Sequence, residues 1–281
     1  MSLPSVLDVE IVESLSCRPT SSVFRCRDQA TNLSVILKQV SLPDPQNPVD
    51  HEMENAQQEL KVAKILERKG GHPHVMAYDA AFVHEGHLYL LMDDCANGDF
   101  FTFLESQPDH RLPEPLALRL WSELVQGVHF LHQNDIAHRD VSLENALLTS
   151  QYHVKVCDFG LSTFTTKNQL SSGRVGKAYY MAPEVVIGDA YDAKLADIWS
   201  LGISLFILLT GSPLYQVASP SDPRYDVIRR LGINGILNQW HMRHLVSAET
   251  IQLLTQLLQT DPKQRLDSTQ ALLAHMAAHE G

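Results

Sequence analysis

The chain has 281 residues, 44% of them hydrophobic, and a formal net charge of −11. That apolar content excludes a disordered chain and suffices for a sizeable core, while the acid excess argues against a nucleic-acid surface. Four cysteines, Cys17, Cys26, Cys95 and Cys157, form no CxxC pair, so neither a zinc site nor a disulfide framework is signalled, which suits a reducing compartment.

The opening residues MSLPSVLDVEIVES carry no basic n-region and no apolar h-region, so no secretory signal is expected. Residues 6–42 read as short strands, VLDVEIV, SSVFRC and LSVILKQV, separated by polar turns. The stretch SLPDPQNPVD ends this pattern and leads into a helix predicted over about 50–69, where Leu60, Val62, Ala63 and Leu66 recur at helical spacing. Two more strand-like runs follow, VMAYDAAFV and HLYLLMD, before the break DDCANGD at 93–99. Beyond it helices are predicted over 114–133, 194–210, 223–231, 248–259 and 267–279. The longest apolar run, LGISLFILLTG, is too short to cross a bilayer and reads as a buried core helix. His51, His72, His74 and others in loops or on helix faces read as solvated surface. A small strand-rich half joined by a short hinge to a larger helical half implies two lobes with a cleft, where ligands usually bind.

Taken singly, the motifs have ordinary explanations. Lys38, closing VILK, is an edge lysine; Asp158 in CDFG is a turn aspartate; MAPE starts a helix with proline in its first turn; HRD is a surface ion pair. Their order carries the information: Lys38, Glu59, HRDxxxxN at 138–145, DFG at 158–160 and APE at 182–184. In that order the chain resembles the eukaryotic protein kinase family over residues 6–277, with motif wording nearest serine/threonine kinases of the calmodulin-dependent or AMP-activated type. The resemblance implies an α+β, bilobal fold. A small antiparallel-sheet N-lobe with one helix would span about 6–92, a hinge 93–98 and a larger helical C-lobe 99–277.

The resemblance also implies ATP, Mg²⁺ and phosphoryl transfer, a reaction that needs positioning and charge neutralisation more than covalent chemistry. Lys38 would contact the α- and β-phosphates with Glu59 holding it. Glu59 is preferred over Glu52, Glu54 and Glu67 because apolar residues follow it at +3, +4 and +7. Asp158 and Asn145 would supply hard oxygen ligands for Mg²⁺, and Asp140 would orient the acceptor hydroxyl and take its proton. The adenine would lie between Val23 and Leu147, against the hinge Asp93 to Cys95, with Met92 as gatekeeper; Leu15, Ile36 and Asp99 complete the nucleotide contacts. Asp197 of DIWSLG would brace the HRD loop, and Arg265 of DPKQR would pair with Glu184. Arg139 would receive a phosphate from Ser162, Thr163, Thr165, Thr166, Ser171 or Ser172, of which the last two lie nearest the usual place.

Three departures stand out. The phosphate-covering segment LSCRPTSSV has Ser16, Arg18 and Ser21 where the family has glycines, so the close backbone approach glycine allows is lost; Arg18 and the hydroxyls of Ser21 and Ser22 would partly compensate. Ile36 replaces the usual alanine and is expected to crowd the adenine. Third, Ser142 stands where such kinases have a lysine, and Lys177 where they have a threonine. The two chemical types are exchanged across one pair, so an ammonium and a hydroxyl are both retained, which favours a working enzyme.

Serine/threonine protein kinase is the first function these residues imply, and a pseudokinase-like binding or scaffold module is the alternative. A small-molecule phosphotransferase fits poorly with the APE segment and Arg265. The implied partners are a protein substrate bearing a Ser/Thr hydroxyl and an upstream activating kinase, with no nucleic acid and no membrane; the expected location is the cytoplasm, nuclear entry left open. No calmodulin-like basic helix or heptad follows the domain, so regulation is expected from the activation segment or from partners.

Overall fold

The computed structural model describes residues 4, 7–42, 56–166 and 169–277. The expected domain start at residue 6, most of the Pro/Asn/Asp break, the first turn of the 50–69 helix with Glu52 and Glu54, His51 and the tail of the last helix lie outside them.

Strands β1 (Val9–Cys17), β2 (Ser21–Asp28), β3 (Ser34–Ser41), β4 (Ala80–His84) and β5 (His87–Asp93) form one antiparallel sheet in the order β1-β2-β3-β5-β4. The two-residue period of β3 sorts its side chains. Val35 and Leu37 pack with Cys26, Tyr89 and Leu91, while Ile36 and Val40 pack on the opposite face with Leu88, Leu90 and Met92. Lys38 belongs to the second face, which helix α1 (Ala56–Arg68) covers. Ala56, Glu59, Val62, Ala63 and Leu66 form the buried stripe of α1, so the helical period turns Glu59 inward with the apolar residues.

The strand expected over 75–83 is shorter. Val75 and Met76 leave the sheet because the chain pairs instead with β8 (Val154–Val156): Met76 N donates to Val156 O and Val156 N to His74 O at 2.8 and 3.0 Å. Nor are the histidines there solvated. The His72 ring stacks on Phe130 with centroids 5.0 Å apart, and His74 Nδ1 lies 3.0 Å from Val154 O.

The second half holds α2 (Phe100–Glu105), α3 (Glu114–Gln133), α4 (Pro183–Ile187), α5 (Ala193–Thr210), α6 (Pro223–Gln239), α7 (Ala248–Leu257) and α8 (Thr269–Ala277). Two small ladders, β6 (Ile136–Ala137) with β9 (Thr163–Phe164) and β7 (Ala146–Leu148) with β8, hang the HRD and DFG loops on this scaffold. Helix α5 is long and apolar enough to cross a bilayer, yet 83% of it is buried inside the protein. It starts where Asp192 accepts from the amides of Lys194 and Leu195 and stops at Gly211, φ 71°. The helix predicted over 223–231 breaks at Gly232, φ 66°, and resumes to Gln239. Arg265, side chain fully buried, pairs with Glu184 at 2.7 Å and lies over the Trp199 ring at 5.0 Å, tying the last third of the chain to the APE turn.

Candidate active site

The sheet and α1 assemble the first cluster. Lys38 Nζ donates to both Glu59 oxygens at 3.1 and 3.0 Å and to Asp158 Oδ1 at 3.0 Å. Glu59 is 1% exposed and also accepts from Tyr78 OH at 3.3 Å. Burial would push the Asp158 carboxyl up, but the Lys38 ammonium and its hydrogen bond outweigh it and hold the group below its ordinary value. Beside it Phe159, fully buried, packs edge-on against Tyr78 and His138, anchoring the DFG turn from below while Asp158, φ 65°, lines the cleft.

Around HRD the backbone is strained and braced. Arg139 has φ 66°, a region that costs a non-glycine residue about 1–2 kcal/mol. Buried Asp197 accepts from His138 N and Arg139 N, each at 2.8 Å, and lies 2.9 Å from His132 Nε2. The bracing expected of Asp197 is present, with a histidine the sequence did not single out.

Asp140 collects donors from both sides of the cleft. Asn145 Nδ2 reaches Asp140 Oδ2 at 2.6 Å and its carbonyl at 2.9 Å, leaving the Asn145 carbonyl oxygen outside those bonds. Lys177 N donates to Asp140 Oδ1 at 3.1 Å, and Lys177 Nζ bridges Asp140 Oδ2 and Ser142 Oγ at 2.9 and 3.1 Å. Ser142 and Lys177 are thus neighbours. Ser142 Oγ also accepts from Asn145 N at 3.3 Å, so it caps the turn that carries that asparagine. Gly176 makes the approach of Lys177 feasible: with φ 93°, a Cβ there would meet Arg139 O at 2.7 Å.

Two cavities flank these groups. The first, about 260 Å³, is lined by Val23, Ile36, Met92 and Leu147 at one end and by Lys38, Asn145 and Asp158 at the other. Ile36 forms part of its wall without closing it. The second, about 540 Å³, is lined by Asp99, Asp140, Glu144, Gly176 and Lys177 and also touches Asn145 and Asp158. Leu15, Asp93, Cys95 and Asp99 are not among the described side chains that line the first cavity. Leu15 sits in a bulge between Ser14 and Ser16, where the register of β1 slips, and stays 42% exposed while Ser16 lines the cavity instead. Asp93 is exposed and faces Lys155 at 3.7 Å, and Cys95 is buried among apolar residues, its thiol pushed up to about 11 by burial. Asp99 spends both oxygens on capping α2, accepting from Thr102 N and Oγ1 at 2.8 Å, and lines only the second cavity.

Several contributors carry no advance signal in the sequence. Tyr78 backs Glu59; Tyr180 OH accepts from Leu143 N at 3.2 Å; Tyr179 OH donates to Glu144. Tyr191 OH lies 3.3 Å from both Arg139 Nη2 and Gly173 O. Only Gly176, as a glycine directly before the exchanged Lys177, was visible in retrospect.

A family-wide profile described as "protein kinase domain" matches residues 19–276. Serine/threonine-protein kinase kin-29 of Caenorhabditis elegans is 30% identical over 260 residues, 92% of this chain and 29% of that protein. Serine/threonine-protein kinase SAPK3 of Oryza sativa subsp. indica is 33% identical over 218 residues, 76% of this chain and 62% of that protein. The chain therefore spans less than two thirds of the length of these relatives. With that match covering nearly the whole chain, and with the ordered motifs gathered at one cleft, the chain belongs to the eukaryotic protein kinase family, serine/threonine type.

Proposed function

We propose that the protein transfers the γ-phosphoryl group of ATP to a serine or threonine hydroxyl of a protein substrate. The observation that carries this reading is the junction of the two cavities, where the Lys38–Glu59–Asp158 cluster of an apolar slot meets the Asp140–Lys177–Ser142 cluster of an open cleft. Val23, Ile36, Met92 and Leu147 suit a flat heterocycle, and Lys38 suits phosphate. The donor set fits magnesium: Asp158, kept ionised by Lys38, and Asn145 offer hard oxygens, and phosphates and waters would complete the shell. When bound, the ion neutralises phosphate charge and fixes the phosphate oxygens. Asp140 orients the acceptor hydroxyl and accepts its proton as that oxygen bonds to phosphorus and the bond to the departing nucleotide breaks. Lys177 faces the charge that develops there. The intact constellation favours an enzyme over a scaffold. Incubation with Mg²⁺, ATP and a peptide library, followed by phosphosite mapping, tests it; no transfer to any hydroxyl would return the scaffold reading.

Gly176→Ala is expected to lower kcat tenfold or more, because about 1–2 kcal/mol of left-handed strain adds to the clash with Arg139 O and displaces Lys177 from Asp140. Steady-state kinetics should show the KM for ATP little changed.

Regulation by an upstream kinase is proposed at Ser171 or Ser172. Ser162 and Thr165 are buried, whereas Ser172 is exposed and its carbonyl accepts from Arg139 Nη2 at 3.2 Å. A phosphate there would form charge-assisted hydrogen bonds with that guanidinium. Phosphatase treatment is expected to lower kcat several-fold; unchanged activity would mean that Tyr191 and the Ser172 carbonyl hold Arg139 unaided.

A mild preference for basic residues upstream of the acceptor is also proposed. Asp99 and Glu144 line the cleft, and Glu144 Oε2 is buried with no hydrogen-bond partner among the described residues, although Ile207 withholds the further acid that basophilic relatives have. A peptide array should favour upstream arginine a few-fold, and acidic or proline-directed selection would contradict it.

A further inference from the structure

The turn between β1 and β2 should cover the phosphates, yet two of the four amide positions in the turn cannot serve them. Cys17 pairs with Ser22 across the hairpin, leaving Arg18-Pro19-Thr20-Ser21 to make the turn. Arg18 N is already spent, donating to Ser21 O at 2.8 Å. Pro19 has no N–H. Thr20 O is tied down by Ser41 N at 2.7 Å, which fixes the turn to the end of β3. In a glycine-rich turn the amides would be the phosphate ligands and the missing Cβ atoms would let them approach. Here one amide is consumed, one is absent, and side chains occupy the glycine positions.

The Arg18 side chain stands where those amides fail. Arg18, Glu144, Asn145 and Asp158 are the residues shared by the two cavity linings, so they mark the passage from slot to cleft. Among the described residues Arg18 is the one cation in both linings; Lys38 belongs to the slot alone and Lys177 to the cleft alone. The walls are otherwise acidic, with Glu59 and Asp158 in the slot, Asp99, Asp140 and Glu144 in the cleft, and Glu59 and Asp140 already paired with the two lysines. A polyphosphate passing between carboxylates needs positive charge at that junction beyond the magnesium that Asp158 and Asn145 would hold. Arg18 is exposed, and its guanidinium makes no ion pair with another described residue. Its planar fork of donors matches two phosphate oxygens at once, which a lysine's point charge cannot do.

We propose that Arg18 is a phosphate-binding residue of this kinase, a guanidinium clamp on the terminal phosphates that replaces the amide cradle of a glycine-rich turn. This rests on the proposed function and deepens it by assigning the nucleotide's charge recognition to a side chain the fold does not otherwise use. The anchored turn sets the position of the Arg18 Cα, while the exposed side chain is free to fold down when phosphate arrives. It follows that Arg18 should discriminate by phosphate number: it contributes to ATP binding and nothing to adenosine.

Calorimetric titration of the full chain with Mg-ATP and with adenosine, in the wild type, Arg18→Ala and Arg18→Lys, tests this. Arg18→Ala is expected to weaken Mg-ATP binding about ten- to a hundredfold, the range for losing charge-assisted hydrogen bonds. Adenosine binding should stay the same. Arg18→Lys should recover part of the loss, and the dependence of ATP affinity on ionic strength should be shallower in Arg18→Ala. Because Arg18 is exposed and its side chain supports no packing, the thermal midpoint of the unliganded variant should match the wild type. Equal ATP affinity in wild type and Arg18→Ala, or an equal loss for ATP and adenosine, overturns the clamp and leaves the kinase reading standing. A wild type that binds neither ligand overturns the kinase reading itself, and the clamp with it.

Discussion

Asp140→Asn is expected to lower kcat by about 10²–10⁴-fold, the usual contribution of a positioned general base. Asparagine is nearly isosteric but keeps a single acceptor. In the wild type Asp140 Oδ2 serves Asn145 Nδ2 and Lys177 Nζ at 2.6 and 2.9 Å, while Oδ1 serves Lys177 N at 3.1 Å. An amide that keeps its oxygen toward the first two must turn its NH₂ against the Lys177 amide, donor to donor. The base is lost and the adjacent loop is nudged at once. Stability should fall little, because Asp140 is at the cleft and most of its partners can turn to water. Lys38→Met is the informative contrast. It should also stop transfer, but it takes from Glu59, 1% exposed, the ammonium from which both its oxygens accept. Removing one partner of a buried ion pair typically costs about 3–5 kcal/mol, so the midpoint of urea unfolding should drop for Lys38→Met and hold for Asp140→Asn. Phosphate transfer by Asp140→Asn at the parent rate would end the mechanism.

The contrast shows where the sequence was readable. Lys38, Glu59, Asp140, Asn145 and Asp158 were recognisable from motif order, and the inward turn of Glu59 from the helical spacing of Val62, Ala63 and Leu66. Those signals are local: a two-residue or 3.6-residue period decides which way a side chain faces. What was not readable depends on pairing between distant segments. Leu15 leaves the nucleotide slot because the β1 register slips against β2, and a single-residue slip sends a side chain to the other face. Val75 and Met76 have strand-like composition but pair with β8, some eighty residues on. His132 looks like any helix-face histidine until Asp197 arrives from α5. The tyrosines at 78, 180 and 191 act through hydroxyls whose partners lie far along the chain. Periodicity reports the face, not the partner.

The exchange of Ser142 and Lys177 is the case where sequence and geometry meet, and it yields the sharpest expectation. Lys177 Nζ lies between Asp140 Oδ2 and Ser142 Oγ, so the ammonium occupies the space a lysine at 142 would reach from the other loop. Lys177→Ala should cost about 10²–10³ in kcat, as removal of one preorganised charge-stabilising donor commonly does. Lys177→Thr should be nearly as damaging, since it supplies a second hydroxyl and no charge. Ser142→Lys alone sets two ammonium groups against one another beside Asp140, an unfavourable like-charge contact in a partly desolvated cleft. It also removes the Oγ that caps Asn145 N, although the Ser142 carbonyl, 3.3 Å from the same N–H, survives the change. Ser142→Lys with Lys177→Thr restores one ammonium and one hydroxyl with their loops reversed, and much of the lost rate should return. Residues in contact couple by ~0.5–3 kcal/mol, so the free-energy loss in kcat/KM of the double variant should fall short of the sum of the two single losses by roughly that much. If Ser142 and Lys177 instead act independently, Ser142→Lys cannot rescue the loss of Lys177 and the single losses multiply. Additive free energies across the cycle would therefore show that the two residues do not share one role.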